Sequence, residues 1–490
     1  MTHISRRSFL QRSAAAAAVF TVAPSSILGK SHGYVAPSDK LNVAAVGSGG
    51  MGRSNINAVK NTENIVALCD VDWNRAKQTF SENPNAKKFW DWRVMYDEMG
   101  KNIDAVIVAT ADHSHAIAAS HAITLGKHVY VQKPLTHSVY ESRLLTKLAA
   151  KYKVATQMGN QGSSGEGVRK VCNWIAAGEI GDVTKVECAT NRPIWPQGLQ
   201  APKQGQWVPD TLNWDLFIGP AKMIPYHETY HPWNWRGWWA FGTGALGDMA
   251  CHIMHPIFKG LKLGYPTRVQ GSSTALLVDC APVAQSVKMV FPARPQFNTK
   301  KVKYPEVEVI WTDGGILPQF PKGWQGGPID DGNEGPVVFH GTKDTLVCGC
   351  YGRNPRLVSG RTPNVPETQR VITTGHEMDW VRACKESSEN RVETASYFAE
   401  AGPFNEMVVM GVLAVRLQTL NKELLWDGEN MMFTNIGEND VVTAIEQDRF
   451  VVVDGHPTDE TQRKGMNAKA AAQELIKHTY RQGWSLPAMP

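Results

Sequence analysis

Two stretches of this 490-residue sequence have residue types and spacings that could do chemistry. The first is Gly47-Ser48-Gly49-Gly50-Met51-Gly52, which matches G-x-G-x-x-G. It stands between a short apolar run over 41–46 and a helical stretch over 53–60, the setting in which such a turn cradles a pyrophosphate. Gly47 permits the tight turn, Gly49 lets backbone approach the phosphates, and Gly52 lets helix and strand pack closely. N–H groups at the helix start then face the anion. Asp70 follows ~20 residues on, where a carboxylate accepts both ribose hydroxyls and repels a 2′-phosphate. That favours NAD over NADP. The other reading, an ordinary strand–helix turn, leaves Asp70 unexplained.

The second stretch is aromatic. Asn191-Arg192-Pro193-Ile194-Trp195-Pro196 and the run from Tyr230 to Trp239 mix Trp with Arg, Asn and His. Sugars present C–H faces that pack on aromatic rings, while polar side chains bind their hydroxyls. Arg192, Trp195 and Trp235 are the candidate substrate contacts. An aromatic core or a subunit interface would use the same residues.

The elements that must position these groups read as follows. Apolar runs over 41–46, 65–69, 104–109 and 128–131 predict buried parallel strands. The segment 115–125 predicts a helix that Gly126 stops. Their alternation implies a parallel sheet with helices on both faces. Beyond residue 160, alternating runs over 184–190, 268–277, 285–291 and 306–311 predict antiparallel strands. Helical regions near 243–261 and 395–420 would cover one face. The Gly- and Pro-rich segment 312–335 reads as a surface excursion.

Further segments carry a family resemblance. They are Thr110-Ala111-Asp112-His113-Ser114-His115, Gly126-Lys127-His128-Val129, Gln132-Lys133-Pro134-Leu135, Gly178-Glu179-Ile180-Gly181, the segment from Gly242 to His252, Gly375-His376-Glu377 and Leu425-Trp426-Asp427. In combination they resemble the glucose–fructose oxidoreductase/inositol dehydrogenase (Gfo/Idh/MocA) family over about 41–430. One position departs: Gln132 stands where the family usually has Glu. The resemblance implies an α/β fold, a Rossmann-type doubly wound parallel sheet (41–160). An α+β domain with a large open, mainly antiparallel sheet (161–430) and a C-terminal extension (431–490) would follow.

The resemblance also implies the chemistry. Oxidising a secondary alcohol of a sugar or polyol needs a base for the hydroxyl proton and a hydride acceptor at the same carbon. Lys133 would stabilise the alkoxide. His252 would be the base, since imidazole titrates near neutral pH. Asp248, four residues earlier on one helix face, would orient His252 or bind a neighbouring hydroxyl. Asp248 and His252 thus join the substrate contacts. The cofactor set is Gly47, Gly49, Gly50, Met51, Gly52, Asp70, Thr110, His115, Gln132 and Lys133, with no metal. His255 is a competing base, and His113 and His115 could equally cap loops.

Composition narrows the setting. Lys plus Arg number 51 and Asp plus Glu 46, a net charge of +5. No block of like charge reads as a nucleic-acid or membrane patch. The eight cysteines form no paired knuckles and read as scattered buried thiols. Ser5-Arg6-Arg7-Ser8-Phe9-Leu10 and the apolar run that follows read as a twin-arginine export signal, with the linker starting within 1–30. The expected location is therefore periplasmic or otherwise exported, with the export machinery as a partner and a homo-oligomer as the expected assembly. Because free NAD is scarce outside the cytoplasm, the cofactor should be held tightly and recycled. A glycoside-cleaving enzyme working through a transient keto-sugar is the alternative activity. A non-catalytic sugar-binding protein is the second alternative.

Overall fold

The computed structural model describes residues 39–490, so the leader lies outside the described residues. Six parallel strands form the first sheet: β1 (Asn42–Val46), β2 (Asn64–Cys69), β3 (Lys87–Phe89), β4 (Ala105–Val108), β5 (His128–Val131) and β6 (Thr156–Met158). Their order is β3-β2-β1-β4-β5-β6. Val43, Ala44, Ala45 and Val46 are all buried, as a strand with helices on both faces requires. The order reverses between β1 and β4, so the crevice at their carboxyl ends is where ligands bind in such sheets. Gly47 follows β1 there, and Thr110 follows β4.

The helices after the strands are capped by their own sequence. Asp72 accepts from the N–H groups of Asn74 and Arg75 at the start of Trp73–Glu82. Ser138 and Glu141 form a reciprocal capping box for Val139–Tyr152. A later helix, His376–Cys384, returns to this half of the molecule. Its Trp380, Val381 and Ala383 share a buried cluster with Val43, Ala45 and Ile56.

The second sheet has nine strands: β7 (Val183–Ala189), β8 (Arg268–Ser273), β9 (Gln285–Phe291), β10 (Val307–Thr312), β11 (Val337–Gly341), β12 (Thr345–Cys348), β13 (Arg356–Leu357), β14 (Leu424–Asp427) and β15 (Met432–Phe433). Their order is β13-β12-β11-β7-β10-β9-β8-β14-β15. All pairs are antiparallel except β7 with β10. In β10 the side chains of Val307, Val309 and Trp311 are buried while Glu308, Ile310 and Thr312 alternate on the other face. Helices Gly244–Ile253 and Phe398–Arg416 pack on the buried side. The latter is apolar nearly all round, which suits a helix enclosed in a core.

Between β7 and helix Gly244–Ile253 runs a long strap, residues 190–243. Its Trp214, Phe217, Tyr230, Trp238 and Phe241 form a core of their own with Ala111 of the first half. The strap is stitched to the segment after β2. Asn213 N–H donates to Val71 O (2.8 Å), and Trp73 N–H donates to Thr211 O (2.9 Å). His231 Nε2 lies 2.8 Å from Asp72 Oδ2. Beyond β15, strands Val441–Gln447 and Gln462–Asn467 pair, Phe450–Val453 pairs with His456–Asp459, and helix Ala468–Ile476 follows. The final residues, 477–490, cross back to the first domain.

Candidate active site

A cavity of about 580 Å³ runs along the crevice, and its walls come from both halves and the strap. At one end lies the glycine turn. Gly47 has φ +84, and a Cβ there would lie 2.4 Å from Ala109 O. A Cβ on Gly52 would lie 1.9 Å from Gly47 O, so Gly52 holds the turn tight from behind and does not line the cavity. A Cβ on Gly49 would meet Arg75 at 3.2 Å, so this glycine also serves the packing of the next helix. Asp70 Oδ2 accepts from Ser48 N–H (2.7 Å) and Gly49 N–H (3.1 Å). No acceptor among the described residues faces the N–H groups of Gly50 and Met51. They remain for an anion, and Asp70, whose Oδ1 also takes the Asp72 N–H (2.9 Å), keeps about one lone pair for a ribose hydroxyl. Burial raises the Asp70 carboxyl, and the N–H groups of Asp72, Ser48 and Gly49 oppose that rise. The residues present fit a dinucleotide.

At the other end, side chains from distant segments converge. Lys133, just after β5, donates Nζ to Asp248 Oδ1 (2.7 Å) and to Asp248 O (2.9 Å). Arg236 of the strap donates Nε to the same Oδ1 (3.3 Å). Its guanidinium lies 3.9 Å from the Trp233 ring and 4.3 Å from the Trp235 ring. Burial works to raise the Asp248 carboxyl, but Lys133 and Arg236 outweigh it and hold it down at about 2. Asp248 is therefore a fixed carboxylate. Arg192 pairs with Glu334 at 3.1 Å on the opposite wall, beside Trp195.

His252 lies on the same helix as Asp248, its ring edge-on to Tyr351 (4.9 Å between centroids). Nδ1 is buried and has no partner among the described residues. Burial, then Lys133, lowers this imidazole to about 3, against the partial support of Asp248. This corrects the expectation of a histidine titrating near neutrality: the ring is a neutral acceptor throughout the working range. Tyr351 has φ +62, and a Cβ on Gly162 would meet its ring at 2.2 Å, so that glycine makes room for it.

The helix carrying Asp248 and His252 is fixed by Asp112. That carboxyl accepts from Thr243 N–H (3.1 Å) and Thr243 Oγ1 (2.7 Å), and burial pushes it up to about 7.

The structure brings Gly47, Gly49, Gly50, Met51, Asp70, Thr110, Gln132, Lys133, Arg192, Trp195, Trp235, Asp248 and His252 around one cavity. His115 is a correction. It is buried behind the wall with its ring nitrogens 2.8 Å from Pro134 O and 3.1 Å from Thr110 O, so it positions the Lys133–Pro134 segment. His113 likewise meets Phe241 O and Phe217 O of the strap. His255 is engaged with Glu400 at 2.9 Å. Gln132 donates to Asn55 Oδ1 (2.9 Å), and Asn55 donates to Glu377 Oε1 (2.9 Å). A carboxylate thus stands two hydrogen bonds away, through Asn55, from the position where Gln132 replaces Glu. The aromatic stretch splits: Trp195, Trp233 and Trp235 line the cavity, while Trp214, Trp238 and Phe241 are core. Sequence reasoning placed Arg236 in a sugar-binding run without singling it out, quoted Asp112 only as part of the resemblance, and missed Glu334, Tyr351 and Trp484. All eight cysteines are buried and free. Among the described residues, no group of three or more His, Cys, Asp or Glu is placed to hold a metal ion.

Comparison with known proteins agrees with this geometry. Residues 41–160 match the model "Oxidoreductase family, NAD-binding Rossmann fold". Residues 169–280 match "Oxidoreductase family, C-terminal alpha/beta domain". The chain is 26% identical over 183 residues to an inositol 2-dehydrogenase of Pseudomonas fluorescens, covering 36% of this chain and 53% of the relative. It is 27% identical over 158 residues to that of Serratia proteamaculans, covering 31% and 46%. The chain thus spans about half the length of these relatives. Among solved structures, the WlbA dehydrogenase of Bordetella pertussis, in complex with NADH and UDP-GlcNAcA, aligns with a TM-score of 0.54 at 16% identity, over 79% of this chain and 99% of that one. GenD2 from gentamicin A biosynthesis, in complex with NAD, aligns with a TM-score of 0.52 at 16% identity, over 79% and 97%. At these identities the likeness is one of fold.

Proposed function

We propose that the protein, whose residues 41–160 and 169–280 match the two domain models of the Gfo/Idh/MocA oxidoreductase family, is an NAD-dependent oxidoreductase acting on a secondary hydroxyl of a sugar or polyol. The observation that carries this reading is the single cavity joining the glycine turn and Asp70 to Lys133, Asp248 and His252. NAD, held by the N–H groups of Gly50 and Met51 and by Asp70, supplies a hydride acceptor when bound. Asp70 also supports NAD over NADP, since it would repel a 2′-phosphate.

The chain's own groups then divide the work. Lys133, with Arg236 nearby, stabilises negative charge on the substrate oxygen. His252 lines the cavity beside Lys133 and Asp248 and is neutral, so its imidazole is placed to take the hydroxyl proton. The imidazolium that forms has Asp248 as its counter-charge one helical turn away. Arg192, Trp195 and Trp235 grip the sugar.

The strap over the adenosine side supports a retained, recycled cofactor. Two redox-neutral cycles meet that demand. One oxidises a donor and reduces an acceptor. The other oxidises a sugar transiently, eliminates its glycosidic substituent, adds water and reduces again. The leader at Ser5–Leu10 supports export by the twin-arginine route to the periplasm. The open outer face of the nine-stranded sheet supports pairing of copies into a homo-oligomer.

The test is mass spectrometry of small molecules released from the purified protein, followed by absorbance of reduced nicotinamide during a screen of sugars and polyols. Released NAD and a sugar-dependent signal that Lys133→Met abolishes are expected. Empty protein that neither binds NAD nor responds to any sugar, with Lys133→Met indistinguishable, would leave a sugar-binding role. A released aglycone selects the eliminating cycle, and a stable keto-sugar selects the simple oxidoreductase.

A further inference from the structure

We propose that the C-terminal tail, residues 477–490, is the latch of the dinucleotide groove, with Trp484 completing the wall against the adenosine half of NAD. The inference rests on the NAD reading above and adds binding residues that the sequence did not suggest.

Trp484 lines the same cavity as Gly47, Asp70 and Thr110. It stands on the first domain just after β3, on the side of the sheet where Asp70 marks the ribose. The Arg93 guanidinium lies 4.2 Å from its ring, and Trp92, also a wall residue, lies 6.2 Å away. Three residues earlier the tail grips the strap. Arg481 pairs with Asp215 at 2.5 Å and donates Nε to Gly219 O (3.1 Å), and its N–H donates to Pro220 O (2.9 Å). Those partners belong to or abut helix Trp214–Ile218 of the strap, whose Leu216 and Phe217 also line the cavity. The tail therefore joins the first domain to the strap where both line the cavity. It is anchored behind this span as well: Tyr480 Oη donates to the buried Glu141 (2.6 Å), and His478 meets His137 at 3.2 Å.

A segment with this many polar anchors and an aromatic ring in the groove wall has a specific consequence. Because Arg481 ties the tail to the strap, release of the adenosine half requires the tail to part first, so the tail sets the rate at which NAD exchanges. Trp484 adds an aromatic face to that end of the site.

The experiment uses the full chain and the variants Trp484→Ala, Trp484→Phe and Arg481→Gln, checked for folding by circular dichroism. Bound NAD is exchanged against a fluorescent etheno analogue, and content is measured by mass spectrometry. Exchange about tenfold or more faster in Trp484→Ala and Arg481→Gln, with Trp484→Phe near wild type, is expected. Protein isolated empty is titrated with NAD instead, and the expected result is a Kd weakened about tenfold in the first two variants. Exchange or affinity equal to wild type in both overturns the latch and leaves the oxidoreductase reading intact. Failure of every form, wild type included, to bind NAD at millimolar concentration overturns that reading and the latch together.

Discussion

The two ends of the cavity are built by different means. The dinucleotide end is made of backbone: a turn forced by Gly47 and Gly52, free N–H groups at Gly50 and Met51, and a strand-end carboxylate that braces them. Every part lies within about 25 residues of sequence. The redox end is made of side chains. Lys133, Arg236, Asp248 and His252 come from a strand end, the strap and a helix, and only the docking of the two halves brings them together. A backbone site is set by local geometry and fails through sterics. A side-chain site is set by topology and fails through charge.

Substitutions at each end should separate these failures. The largest expected effect is Lys133→Met, which lowers turnover about 10³-fold while NAD content stays unchanged, measured by single-turnover absorbance and mass spectrometry. Next is Gly52→Ala. Its Cβ would meet backbone oxygen at 1.9 Å, so stability falls by about 3 kcal/mol or more and NAD is lost, read by urea titration. A variant that keeps both would remove the distinction drawn above. His252→Asn should slow turnover about 10²-fold with substrate binding largely kept. The smallest effect is on pH. His252 is depressed from about 6.5 to about 3, so its accepting form persists above pH 3 and is lost only as pH falls through that value. The profile of kcat/KM should therefore show no acid limb near pH 6.5. A limb there would mean that water reaches the ring in the free enzyme.

The same contrast explains what was legible in the sequence. The strands over 41–46 and 65–69 and the helix from His115 were readable because apolar runs ending at Gly or Asp leave little choice. The glycine turn and Asp70 were readable because their partners are close in sequence. The residues Lys133, Asp248 and His252 came from a family pattern, and the fold brings them together, but burial of His252 is not visible in a pattern. His115 was misread because a position near a strand end does not say which way a ring faces. Gln132 looked like a lost charge because Glu377 arrives from more than 240 residues away. Arg236 was masked by the tryptophans that hold it. Nothing in the composition of residues 477–490 points to a groove that begins at Gly47.

Helix His376–Cys384 packs on β5 and on helix Met51–Val59, with Trp380 fully enclosed beside Tyr130. A nucleotide-binding half excised at residue 160 would expose the parts of Tyr130 and Ile56 that this helix covers, so this half is not a portable module. During synthesis, a nascent chain must extend to about residue 384 before its opening third can seal.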